Sequence, residues 1–440
     1  MKLLKQRIKQ CSIFFGMVVV KSKKVYNLAI EKILQLRSFV YKEKILKNIM
    51  KKRNSASFIF IMLGMLTAFG PFVTDMYLPS LPSMTGYFKT SVSMVQLGLT
   101  FSMFGMAFGQ LLFGPLSDKY GRRKPLLIAM ILFLISTFAC VFAPNIEIFV
   151  VLRLIQGIGA AGGIVIARSV AADKFKGRNL TKAFAVVGAI NGMAPVVAPI
   201  TGGLLVEITG WKGIFAILFV WGIILTSVTS KFKESLSQTR RSKEKLSKTI
   251  KMFKNVLKNK EFVFYTLQIF FTMAILFSYI SASPFIIQEH YKFSPVAFSL
   301  FFAANAAAIG TGAAISSRFK NYEKSLKTGS TGMIICSILL LCILAINGSI
   351  VFFEGLLFIL CFMMGLTFPV TISFALNSAK KQSGTASAII GASGFLAGSI
   401  VSPIVGLGNI LISTGIAFTV SSISAAVFAF LVLKYRNLKI

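Results

Sequence analysis

Gly114-Pro115-Leu116-Ser117-Asp118-Lys119-Tyr120-Gly121-Arg122-Arg123-Lys124 separates two apolar runs, residues 92 to 113 and 125 to 143. A single acid stands here among four bases. Gly114 and Gly121 permit a tight turn where two helices must end and pack closely. Asp118 is placed to accept charge-assisted bonds from its cationic neighbours and so to lock a gate at one membrane face. Lys124 needs no role beyond marking the side on which the loop lies. The flanking runs are long enough to cross a bilayer core of ~30 Å, which takes about 20 apolar residues as helix, because lipid leaves every backbone polar group to be satisfied within the segment.

Outward from this loop, twelve such runs appear: 56 to 79, 92 to 113, 125 to 143, 148 to 167, 183 to 206, 213 to 230, 262 to 287, 295 to 316, 328 to 346, 355 to 378, 384 to 408 and 411 to 433. Ten contain no Asp, Glu, Lys, Arg or His; the first holds Asp75 and the fourth Arg153. The 440 residues are 55% hydrophobic and only 14% charged, where a soluble domain averages roughly a quarter charged. The fold expected is therefore an all-α integral membrane protein of twelve transmembrane helices.

The net charge of +35 invites a nucleic-acid reading, but that needs basic residues spread over a polar surface. Here 44 of the 48 Lys and Arg fall in alternate connections, and only Lys89, Lys212 and Lys292 fall in the others. Cytoplasmic loops retain Lys and Arg, so both termini are expected in the cytoplasm, with no nucleic-acid partner. Five scattered Cys and a single His, His290, offer neither a disulfide framework nor a metal site. No metal and no cofactor are expected.

The basic segment 231 to 261 divides the spans into a six-helix bundle at 55–230 and another at 262–433, and reads as a solvated linker beside an anionic leaflet. Residues 434–440 form a cytoplasmic tail. Short matches link the halves at a near-constant offset: Leu152-Arg153-x-x-x-Gly157 with Leu360-Cys361-x-x-x-Gly365, and Pro199-Ile200-x-Gly202 with Pro403-Ile404-x-Gly406. Two pseudo-symmetric repeats account for their order. Residues 1–54 admit two readings, a basic cytoplasmic extension with an amphipathic surface helix, or sequence upstream of a true start at Met50.

A charge at membrane depth is costly unless paired or hydrated. By helical rise, Arg153 lies ~8 Å below the outer end of its span and Asp75 ~28 Å above the inner start of its own, so both sit in the outer third. They read as a coupled pair on a polar cavity, though each is shallow enough to snorkel to its own interface. The fifth span carries Gly188, Asn191, Gly192, Pro195, Pro199, Gly202 and Gly203. Its prolines remove backbone donors and its small residues admit a neighbouring helix, which suits a hinge. Tyr77, Gln110, Gln156, Asn191, Tyr265, Gln268, Tyr279, Asn305 and Asn377 are further polar candidates for a central path.

The 114–124 loop closely resembles the G-x-L-a-D-r-x-G-R-R-x signature of the major facilitator superfamily, with Gly114, Asp118, Gly121, Arg122 and Arg123 at its functional positions. Arg153-x-x-Gln156-Gly157 is similar to its membrane-embedded R-x-x-Q-G motif. The fifth span is similar to the antiporter motif G-x-x-x-G-P-x-x-G-G, with Ala198 where glycine is common. Thr74-Asp75-Met76-Tyr77-Leu78-Pro79-Ser80-Leu81-Pro82 looks like the close of the first span in twelve-span drug:proton antiporters of the Bcr/CflA (bicyclomycin-resistance) branch. The second half departs from the pattern, since Arg318-Phe-Lys-Asn-Tyr-Glu-Lys lacks the aspartate and glycines of the gating loop.

The resemblance implies two six-helix bundles working by alternating access. It implies proton-coupled efflux of small amphipathic or apolar compounds across the cytoplasmic (inner) membrane, by a monomer whose partners are substrate, protons and lipid. The proton gradient is the energy source, and Asp75 exchanges a proton under the influence of Arg153. An importer or metabolite exporter shares the fold and gating loop. An intramembrane enzyme would need a nucleophile and base, or a metal cluster, at membrane depth.

Overall fold

Residues 54–241, 246–380 and 383–437 are described in the computed structural model, without the side chains of 177–189, 191, 246–251, 383, 384 and 437. The expectations for residues 1–53, Gly188 and Asn191 fall outside that set. The helices are α1 (Ala56–Asp75), α2 (Leu81–Phe88), α3 (Val92–Tyr120), α4 (Arg123–Val141), α5 (Ile146–Lys174), α6 (Gly177–Ser230), α7 (Leu246–Leu257), α8 (Lys260–Phe285), α9 (Pro295–Ser316), α10 (Tyr322–Ala345), α11 (Ile350–Ser378), α12 (Ser383–Val405) and α13 (Ile410–Asn437). No strand occurs among the described residues.

Eleven helices among the described residues are long and apolar enough to cross a membrane. One of them accounts for two crossings. The 54 residues of α6 would span ~80 Å as a straight helix, far beyond a ~30 Å core. Gly210 breaks it with φ 63° and ψ −171°, a left-handed conformation that favours glycine. The chain then returns to where it began: Ser235 Oγ donates to Asp173 Oδ2 at 3.1 Å, so the residues flanking α6 meet. The two runs expected at 183–206 and 213–230 are thus the two arms of α6.

Polar caps start helices at both faces. Ser91, Asn145, Ser294 and Ser349 accept from backbone amides of the first turn on the side away from the basic loops. Asn259 and Asn321 do so on the basic side. Each satisfies a donor that has no partner within its own helix.

Close backbone approach joins helices within each half in the same way. A Cβ on Gly157 of α5 would meet the Ser102 carbonyl of α3, and one on Gly365 of α11 would meet the Ile309 carbonyl of α9. These are the two glycines aligned by the internal match, and small residues are what allow membrane helices to come this near.

The halves meet unequally. On the far side one apolar core runs through both, from Met76, Tyr77, Leu99 and Met103 to Phe277, Phe298, Met364 and Val401. On the basic side each half has a core of its own, one around Leu63, Phe69 and Phe133, the other around Phe262, Leu326 and Val432. Polar ties reinforce the far side. Across the halves, Gln96 Nε2 donates to Ser281 O at 3.1 Å and Ser299 Oγ to Pro199 O at 2.7 Å; within the second half, Ser402 Oγ donates to Ser281 Oγ at 2.8 Å.

The start of the linker is packed, not solvated. Phe232 and Leu236 are buried, because Glu234 between them is drawn onto the loop before α4. Further along, α7 is a separate helix with Val256 buried at its end.

Candidate functional site

Arg153 is fully buried in the middle of three helices. Its Nη2 donates to Val73 O at 3.1 Å, its Nε to Gly98 O at 3.4 Å and its Nη1 to Gln156 Oε1. The guanidinium lies over the Tyr77 ring, 4.3 Å from its centroid, and 5.6 Å from that of Phe215. Gln156 passes the link to α4 by donating to Thr137 Oγ1 at 2.7 Å. Carbonyl oxygens, an amide and aromatic faces thus supply the compensation that a buried cation requires. Sequence reasoning makes Gln156 a cavity residue; the structure makes it a strut for Arg153.

Asp75 ends α1 and is buried, its Oδ1 accepting from Thr74 Oγ1 at 2.7 Å. No ion pair joins it to Arg153. The two are coupled through the backbone instead, since Arg153 holds the carbonyl two residues before Asp75 and the ring two residues after it. Asp75 is left as a buried carboxyl without a cationic partner among the described residues.

A third ionisable group at membrane depth is absent from the sequence reading. The expected span began at residue 355, but α11 begins at Ile350 and contains Glu354. Ser349, whose side chain accepts from Val351 N at 3.3 Å, was the available signal of the earlier start. Asn305 Nδ2 donates to Glu354 Oε2 at 3.0 Å and lies 3.2 Å from the Tyr279 hydroxyl. Tyr279 stacks on Phe302 with centroids 5.2 Å apart. Asn305 and Tyr279, both candidates from sequence, therefore meet around a residue that was not one.

The remaining candidates separate. Gln268 is buried and donates to Thr272 Oγ1 at 3.0 Å within α8. Tyr265 belongs to the basic-side core of the second half, its ring 5.6 Å from Phe374. It packs there with Leu326 and Val432, away from Asp75, because it lies only five residues into α8. Gln110 is buried against Gly391, and Asn377 is exposed near the end of α11.

The 114–124 segment is not the loop from Gly114 that its sequence suggests: α3 runs unbroken through Gly114 to Tyr120, so the turn falls at Gly121 and Arg122 alone, and a closed relay forms there. Arg122 Nη1 bonds Asp118 Oδ1 at 2.5 Å and Ser117 Oγ at 2.8 Å, while Nε bonds Asp173 Oδ2 at 2.9 Å. Burial alone would lower the Arg122 pKa; hydrogen bonding to Asp173 and the charges of Asp118 and Asp173 outweigh it and hold the value above the ordinary one. Glu234 of the linker accepts from Arg122 N at 2.8 Å and Arg123 N at 3.2 Å, capping α4 with a carboxylate where the helix dipole favours one. It also pairs with Arg241 at 3.7 Å. Gly121, at φ 88°, leaves room for it, since a Cβ there would meet the Glu234 carboxylate. In the second half, Glu323 and Arg436 pair at 3.6 Å across α10 and α13, with the Arg436 guanidinium over the Phe374 ring.

The proline-rich arm of α6 is packed only in part. A Cβ on Gly202 would meet the Met76 carbonyl and one on Gly203 would meet Ser299 and Pro295 of α9, whereas Gly192 has nothing within 4 Å. Pro195 and Pro199 both lie within the helix. The closest contact between halves here is therefore at 199–203.

Two repeated six-crossing halves, sharing one core at the far side and carrying buried ionisable groups at membrane depth, define a multi-pass transporter and not an enzyme. A profile of the Major Facilitator Superfamily matches residues 61–403, and the chain belongs to that family. It is 38% identical over 81% of its length to an uncharacterized MFS-type transporter, YdgK, of Bacillus subtilis (strain 168), covering 90% of that protein. It is 28% identical over 88% of its length to a bicyclomycin resistance protein homolog of Haemophilus influenzae, covering 99% of it. Among solved structures, it superposes on a bacterial homolog of the human lysosomal transporter Spinster with a TM-score of 0.67 at 15% identity, over 87% of this chain and 98% of that one.

Proposed function

We propose that the protein exports small, largely apolar compounds, drugs among them, across the cytoplasmic membrane in exchange for protons. Its basic loops and both termini lie in the cytoplasm, and it works as a monomer. The similarity to a bicyclomycin resistance homolog supports the export of drugs. The observation that carries the coupling is Asp75: a buried carboxyl with no ion-pair partner among the described residues, under the closed far side. Ionised, such a group is costly at membrane depth, so its charge state is tied to what enters the cavity. Substrate and proton then exclude one another.

The separate basic-side cores favour a resting state open to the cytoplasm, from which substrate loads. Reversal opens the far side, where Asp75 takes a proton and substrate leaves. One proton entering at ~120 mV and one pH unit releases about 4 kcal/mol, enough for roughly a thousandfold substrate gradient. The test is bicyclomycin flux in oriented proteoliposomes under an imposed pH gradient. The wild type exports toward the acid side, and Asp75→Asn, still folded, no longer responds to the gradient. A pH-driven flux that Asp75→Asn leaves unaltered refutes the assignment, and flux in the opposite direction identifies an importer.

A further inference from the structure

Glu354 holds one oxygen in a bond and the other in none. Its Oε2 accepts from Asn305 at 3.0 Å, while Oε1 is buried and accepts no hydrogen bond among the described residues. A buried acceptor without a donor is costly, and more so when it is charged. No ion pair reaches it among the described residues. The titratable groups facing the carboxyl are Tyr279 and Tyr291 from the α8 side and Cys361 on its own helix. The Tyr291 hydroxyl is committed to Gly348 O at 2.7 Å. The packed helices α9 and α12 contain no charged residue, and α10 carries its charges only at residues 323, 324 and 327, at its basic end.

The site suits a group that changes protonation state. With the carboxylate ionised, the Asn305 amide donates one proton toward it and the other toward Tyr279. With the acid neutral, the same amide, flipped, accepts from the new O–H. The Tyr279 hydroxyl, 3.2 Å from the Asn305 amide, completes the site.

We propose that Glu354 is a second proton-exchanging carboxyl, carried by the C-terminal half as Asp75 is by the N-terminal half, so that each transport cycle moves two protons. The proton adds to the carboxylate from the far side, leaving a neutral acid, and departs to the cytoplasm once the cavity opens there. This rests on the proton-antiport reading above.

The experiment uses the full chain in two formats. Infrared difference spectra between acid and alkaline pH count protonated carboxyl bands in the purified protein. Bicyclomycin reversal measurements in proteoliposomes give the proton stoichiometry. Wild type should show two buried carboxyl bands, Glu354→Gln one and Asp75→Asn the other. Glu354→Asp should restore a band and serve as the folding control. Stoichiometry should fall from two to one in Glu354→Gln, reducing the sustainable gradient of a neutral substrate to its square root. A Glu354→Gln spectrum identical to wild type overturns the proposal. So does a variant that loses only export of a cationic probe such as ethidium while keeping the wild-type stoichiometry, since Glu354 would then pair with cations. Wild-type flux indifferent to pH overturns the antiport reading itself, whatever the spectra of Glu354→Gln.

Discussion

The guanidinium of Arg153 donates to the Val73 carbonyl at 3.1 Å and leaves the neighbouring Asp75 carboxyl without an ion-pair partner among the described residues. A direct ion pair would have neutralised both groups and fixed them. Binding to the backbone instead ties α1, α3 and α5 together around the guanidinium while Asp75 keeps its freedom to exchange a proton.

Arg153→Lys should test that division. The ammonium keeps the charge but lacks the planar fork that reaches Val73, Gly98 and Gln156 together. Two buried carbonyls lose their donor at about 1–3 kcal/mol each, so the unfolding midpoint in detergent should drop by several degrees and export should be lost. Stability equal to wild type would make Arg153 a purely electrostatic element.

Within the relay on Arg122, the two carboxylates differ in exposure, Asp118 at 55% and Asp173 at 11%. Solvent weakens the first interaction more than the second. Asp173→Asn should slow turnover about tenfold, equivalent to ~1.4 kcal/mol, and Asp118→Ala about threefold, each at nearly constant substrate affinity. A pure loss of affinity in either would count against gating. The relay should not itself respond to working pH through Arg122. A raised arginine value contributes stability that is fully present below its ordinary value, far above working pH, and is lost only as pH rises through the still higher folded one.

Glu234→Gln should loosen the same corner. The amide can still accept from the Arg122 and Arg123 backbone, but it loses the charge at the start of α4 and the pairing with Arg241. Accelerated proteolysis in the 231–241 segment is the readout, with a stability loss of about 1 kcal/mol. Cleavage at the wild-type rate would show the linker contact to be dispensable.

Gly203→Leu and Gly192→Leu separate the glycines of the α6 arm. The first drives a side chain into Ser299 and Pro295 across the halves, while the second enters open space. The Gly203 variant should fail to close its far side. A cysteine introduced at Ser281 should then become accessible to an impermeant reagent, and transport should stop. The Gly192 variant should transport at close to the wild-type rate. Equal behaviour of the two would remove 199–203 from the gate.

Much of this was legible in the chain because lipid makes local demands. Twelve apolar runs and the alternation of Lys and Arg between loops follow from segment length and charge, which need no tertiary contact. Arg153, Asp75 and the gating loop stood out because charge is rare at depth and glycine is needed at turns. Glu354 escaped by one residue, since hydropathy does not mark where a helix begins and only the Ser349 cap does. The partners of Tyr265 and Gln156 were not legible because a polar residue on an apolar span has several neighbours, and sequence does not say which one it meets.

The sequence by itself determined the crossings, their pairing as two repeats and the residue types available for transport chemistry, since each rests on composition and periodicity along the chain. Only the tertiary structure decided the pairings: Arg153 with backbone and not with Asp75, Glu234 with the gating loop, Asn305 with Glu354, and one shared core on the far side against two on the other. Those choices depend on which side chains three or four helices bring to the same depth, and that is set by packing between segments far apart in the chain.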